Sequence, residues 1–197
     1  LFLMGKYLEK TESTDLPESW KNGISLALKK IQSLMQDGIT QVSEENTTVY
    51  LMDNLEVWKG LYELEHAGLK DVQAIREMRN KLQAQIEKLF WDDANQRWRI
   101  IENSDLYHQK DFYPDGVAQI YPLIYEFPVK EKKKQKVLYD QFTERFQWQK
   151  LNKKRTGFLW AMTGMAAAQM RDINNLVELV GNYETEYCKK RKYPLYT

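Results

Sequence analysis

An all-α fold, built as an array of α-hairpins, is what this sequence predicts, and three observations carry the prediction. Apolar residues recur at helical spacing nearly from end to end. Charge-poor helical stretches alternate with charge-striped ones, as inner and outer helices of successive hairpins do. The links alternate too: short from inner to outer helix, long from outer to inner. At 197 residues the chain is long enough for one domain with a substantial core, and the whole of 1–197 reads as a single all-α domain.

The opening LFLMGKYLEK reads as the last turns of a helix whose beginning is missing; it is too short and wrongly flanked for a signal peptide. DLPESWKNGISLALKKIQSLMQDG follows, with Asp15 as N-cap, Pro17 in the first turn and Gly38 as the stop. Trp20, Ile24, Leu28, Ile31 and Met35 form its apolar stripe, with lysines opposite. From Thr48 to His66 the chain is apolar around much of the helix. The next helix, capped by Asp71 and running to Phe90, is heavily charged. WDDANQRWRI, with Trp91 and Trp98 flanking a polar turn, predicts a short β-hairpin near 91–101.

The alternation then repeats twice. YPDGVAQIYPLIYEF is mostly apolar, and PVKEKKKQKVLYDQFTERF is charged on one side. TGFLWAMTGMAAAQM carries no charge, and DINNLVELVGNYETEYCKK, capped by Asp172, is amphipathic. Inner helices beginning near 49, 114 and 156 are unequally spaced, which argues against a fixed-period solenoid. The long links gather at the N-terminal ends of the inner helices, where binding and chemistry concentrate.

Composition excludes several functions. Lys plus Arg (29) nearly balance Asp plus Glu (28), so no field for nucleic acid exists. The local run VKEKKKQK is a solvated helix face. No apolar run reaches membrane-spanning length. The single Cys188 allows no internal disulfide, fits either a cytosolic protein or a secreted one, and is no nucleophile on a charged outer helix. His66 and His108 stand too far apart for a zinc pair, so no metal is expected. The sequence has no G-x-S-x-G elbow, phosphate loop or dinucleotide fingerprint, so no cofactor is expected either.

Candidate site residues lie near the starts of the inner helices. The first offers Asp53, Asn54, Glu56 and Trp58; the second Asp111, Tyr113, Asp115 and Gln119; the third Arg155, Thr156 and Trp160. Two carboxylates, one protonated and one ionised, are what glycoside hydrolysis needs. Each has a plainer alternative. Asp53 and Asn54 are also what a helix start attracts. Asp115 is a common first-turn acid after Pro114, Asp111 a cap, Glu56 a surface ion-pair partner, and Trp58 and Trp160 core residues.

YLMDNLEVWKGLYEL, FYPDGVAQIYPLIYEF, TGFLWAMTGMAAAQM and the closing KYPLYT resemble successive inner segments of the six-hairpin glycosidase superfamily, most nearly glycoside hydrolase family 8-like and related bacterial proteins. The resemblance implies part of an (α/α)6 toroid, a carbohydrate ligand and hydrolysis by two carboxylates. It places Asp53 and Asp115 as cleft residues, with Asp111 and Glu56 as reserves for acid or base. Asn54, Trp58, Tyr113, Gln119 and Trp160 become sugar contacts. It leans towards a bacterial extracellular or cell-envelope setting. Only about three and a half hairpins are present, so a second copy or a missing half is expected to complete the ring. The alternative is a helical domain that binds carbohydrate, or acts as a scaffold, without chemistry.

Overall fold

The computed structural model describes residues 1–11, 16–67, 72–104, 111–130, 132–151, 156 and 160–189. Among them the fold is all-α: eight α-helices, with two two-stranded antiparallel hairpins as the only sheets. The expected caps Asp15 and Asp71 lie outside the described residues, as do His108, Arg155 and KYPLYT. The chain divides into two compact units, Leu1–Asp105 and Leu106–Thr197.

The first unit holds α1 (Phe2–Thr11), α2 (Glu18–Leu34), β1 (Met35–Gln36), β2 (Ile39–Thr40), α3 (Leu51–His66), α4 (Val72–Phe90), β3 (Trp91–Asp92) and β4 (Arg97–Trp98). As its composition predicts, α3 is interior: Leu51, Leu55, Trp58, Leu61 and Leu64 are all buried. Each such side chain contributes about 1.5–3 kcal/mol by leaving water. Helices α1 and α4 pack against it. Gly5 lets α1 approach closely, because a Cβ there would lie 2.5 Å from Glu63 Cβ. The outer helix α4 buries a single stripe, Ile75, Leu82, Ile86 and Phe90.

Helix α2 ends at Leu34, four residues before the expected stop at Gly38. Asp37 and Gly38 instead take φ of 51° and 86°, turning β1 into β2 with Met35 paired to Thr40. Two positive φ values in succession are what a tight primed hairpin turn requires, and Asp-Gly supplies them. The hairpin expected near 91–101 is present, with Trp91 and Trp98 edge-to-face at 5.1 Å. Buried Asp92 organises its turn, accepting from Asn95 N (3.2 Å) and Asn95 Nδ2 (2.8 Å). Its exit is tied to the start of α3: Leu51 N donates to Ile100 O, and Glu102 N to Val49 O.

The second unit opens with a wide turn, Phe112–Gly116, and continues through α5 (Val117–Ile124), α6 (Lys132–Phe146), a 3-10 turn (Trp148–Lys150), α7 (Thr163–Met170) and α8 (Ile173–Tyr183). All eight residues of α5 are buried, and it packs on both α6 and α7. The expected inner–outer pairing thus holds for α3 with α4, α5 with α6, and α7 with α8. The regular part of the third inner helix begins at Thr163, later than the expected 156. Thr156 itself is helical and buried, whereas Trp160–Met162 form a turn. Thr163 closes that turn through Oγ1 to Trp160 O, 2.7 Å. Only Arg171 and Asp172 separate α7 from α8, and Asp172 caps α8 by accepting from Asn175 N. No helix among the described residues is long and apolar enough to cross a membrane.

Candidate functional site

The first two turns of α3, whose start is tied to the β3–β4 hairpin exit, present Asp53 and Glu56 as exposed residues. Three residues apart on a helix, their side chains are neighbours. The Asp53 carboxyl is held above its ordinary range, first by desolvation from the surrounding protein and then by the charge of Glu56. Both causes act in the same direction, against the ionised form. A carboxyl whose proton is held more tightly than usual, with a second carboxyl as its neighbour, is a pairing that acid/base chemistry uses.

The other two α3 candidates face inward. Asn54 is fully buried, and its carboxamide is spent on the fold. Oδ1 accepts from Thr40 N (2.8 Å) and Thr40 Oγ1 (2.6 Å), while Nδ2 donates to Thr40 O (3.0 Å) and Tyr50 O (2.9 Å). With four bonds made, no valence of this amide is left for a sugar. It clamps β2 to α3. Trp58 is 1% exposed, donates from Nε1 to Gln83 Oε1 and stacks on Tyr62, so it is a core residue of this unit.

In the second unit, Asp111 and Tyr113 are exposed on the approach to α5. Tyr113 is extended (φ −128°, ψ 135°) and is joined to Pro114 by a cis peptide bond. Asp111 sits where a cap would, yet its side chain makes no capping bond; its carbonyl instead accepts from Gly116 N. Asp115 is 2% exposed, and Gln119, at 3%, donates from Nε2 to the Asp115 carbonyl. Half-buried Trp160 stacks on Tyr121 of α5, with centroids 5.7 Å apart and planes 15° apart. Asp53 and Asp115, paired by the sequence reading, belong to the first and second units respectively.

Two features had no counterpart in the sequence reading. Buried Lys59 pairs with buried Glu63 at 2.8 Å, and Lys6 reaches the other Glu63 oxygen at 3.2 Å. Lys59 Nζ also lies 4.8 Å above the Tyr62 ring. A lysine and a glutamate four apart read as an exposed pair, and nothing in the periodicity marks this one as interior. The second is a cavity of about 510 Å³ in the second unit, between the start of α5 and the last turns of α6. Its polar lining includes Gln141, Glu144 and Arg145, which lie on an outer helix and not at an inner-helix start. No family model, curated protein or solved structure matches the chain.

Proposed function

We propose that this chain is a carbohydrate-active protein of the glycoside hydrolase kind, with Asp53 as the proton donor and Glu56 as its neighbouring carboxyl group. The observation that carries the reading is the upward-held, solvent-facing carboxyl of Asp53 in the first turn of α3, with Glu56 three residues on. A protonated carboxyl donates its proton to the glycosidic oxygen as the bond to the anomeric carbon breaks, the neighbouring carboxylate stabilises the positive charge that develops there, and a water adds to the anomeric carbon, its proton returning to the Asp53 carboxylate.

The test is release of reducing ends from soluble β-glucan, xylan and chitosan by the 197-residue chain and by Asp53→Asn. Hydrolysis of at least one polymer, lost in the variant, supports the reading. Hydrolysis that survives Asp53→Asn refutes it.

A second reading is favoured by a separate observation: Asp115, Asn54 and Trp58 are interior, which leaves fewer polar groups for chemistry. On this reading the chain binds glycan, or acts as a helical scaffold, without cleaving it. Saturable binding of one of the same polymers, with no reducing ends released, favours it over the first.

A further inference from the structure

The cavity between α5 and α6 is lined without any residue of the Asp53 pair. Its volume, about 510 Å³, lies within the range of small-molecule sites. Part of the lining is apolar: Leu138, Phe142 and Phe146, with the centroids of the two rings 5.1 Å apart. Phe146 reaches that part because Gly116 has no side chain; a Cβ there would stand 2.5 Å from Phe146 Cε2. The rest of the lining is polar and includes Gln119 and Gln141, each of which carries a carboxamide. Gln119 is oriented by its bond to the Asp115 carbonyl. Glu144 and Arg145 contribute one charge of each sign.

We propose that this cavity binds a neutral polyhydroxylated ligand, one or two pyranose rings in size. Carboxamides donate and accept at once, as hydroxyl groups do, so they match a polyol rather than an ion. The opposite charges of Glu144 and Arg145 cancel, so an acid or an amine gains at one and loses at the other. The apolar part of the lining suits the C–H face of a pyranose ring, and the volume admits a disaccharide. The site is independent of the hydrolase reading: a binding module or an enzyme accommodates it equally.

The experiment follows the Leu138 methyl resonances of the full chain during titration with cellobiose and with maltose, and separately with glucuronate and glucosamine. A saturable Leu138 shift with a neutral disaccharide, stronger than with either charged sugar, is expected. Gln141→Leu, at an exposed position where folding is undisturbed, weakens that binding about three- to tenfold, the loss of one or two hydrogen bonds. Glu144→Gln removes one negative charge from the lining and turns the preference towards glucuronate. The proposal is overturned by the absence of a saturable Leu138 shift with both disaccharides, by tighter binding of a charged sugar to the unmodified chain, or by an affinity unchanged in Gln141→Leu. Asp53→Asn leaves the titration unaltered, so failure here and failure of the hydrolase reading are told apart.

Discussion

Replacing Asn54 with alanine removes four hydrogen bonds from the interior of the first unit in one step. The Thr40 hydroxyl can rotate towards another acceptor, and the Tyr50 carbonyl also receives the Asn54 backbone N–H at 3.3 Å. The Thr40 N–H and C=O lose this partner outright in a buried setting. Each such orphaned group costs about 1–3 kcal/mol, giving about 2–6 kcal/mol in all. Against a typical domain stability of about 5–15 kcal/mol that is a severe loss. Urea unfolding followed by far-UV circular dichroism measures it. Asn54→Asp sharpens the test, because it keeps the shape but turns a donor into an acceptor facing two carbonyls. Its protonated form is the one the fold tolerates, so its folded pKa is raised, and its deficit deepens as pH rises through the carboxylate range. A loss under about 1 kcal/mol in Asn54→Ala, or an Asn54→Asp variant as stable as wild type at neutral pH, refutes the clamp.

Gly5→Ala drives a methyl group against Glu63 Cβ at 2.5 Å and is expected to cost about 1–3 kcal/mol, seen as a lower Tm. Asp172→Ala loses the α8 cap, at about 1 kcal/mol, and leaves the Tyr139 hydroxyl without the acceptor it now has at 2.9 Å, so the midpoint of urea unfolding falls. Asp92 is held below the usual carboxylate range by the Asn95 side chain; Asp172 is held low by its bonds to Asn175 and Tyr139, against an opposing desolvation. Because these folded-state pKa values are depressed, the stability they contribute is complete above about pH 4 and is lost as pH falls further; Asp172→Asn flattens that dependence in acid urea titrations. Asp53 has the opposite sign. Its raised pKa favours the neutral form in the folded state, so Asp53→Asn is expected to leave stability equal or higher at neutral pH, and Glu56→Gln to lower the Asp53 pKa measured by carboxyl carbon NMR.

Much of the fold was legible because composition reports burial. The charge-poor stretches became α3, α5 and α7, and the striped ones became α4, α6 and α8. Asp172 was recognisable as a cap from its place between two helices, and the Trp91–Trp98 pair marked its hairpin. The Asp37-Gly38 turn was written in the sequence as well, but the apolar stripe continuing to Met35 carried the helix past it.

The candidate site was less legible, since a polar side chain near a helix start looks the same whether it faces solvent or a neighbour. Asn54 and Asp53 are adjacent in sequence, yet one is clamped to Thr40, fourteen residues away, and the other faces water. Periodicity alone does not say which side of α3 the β1–β2 hairpin covers. The geometry of DFYPDG was hidden for a similar reason. Proline in a first turn predicts a helix start, whereas the extended Tyr113 and the buried Asp115 depend on how Phe112, Phe142 and Phe146 pack together.

The most direct test of the central claim is the pH dependence of polysaccharide hydrolysis by the full chain, measured as reducing-end release. With Asp53 as the proton donor, the rate falls on the alkaline side as that carboxyl ionises, and Glu56→Gln, by removing the charge that helps hold the proton, moves this limb to lower pH. A limb that Glu56→Gln leaves in place, or activity that persists in Asp53→Asn, contradicts the account.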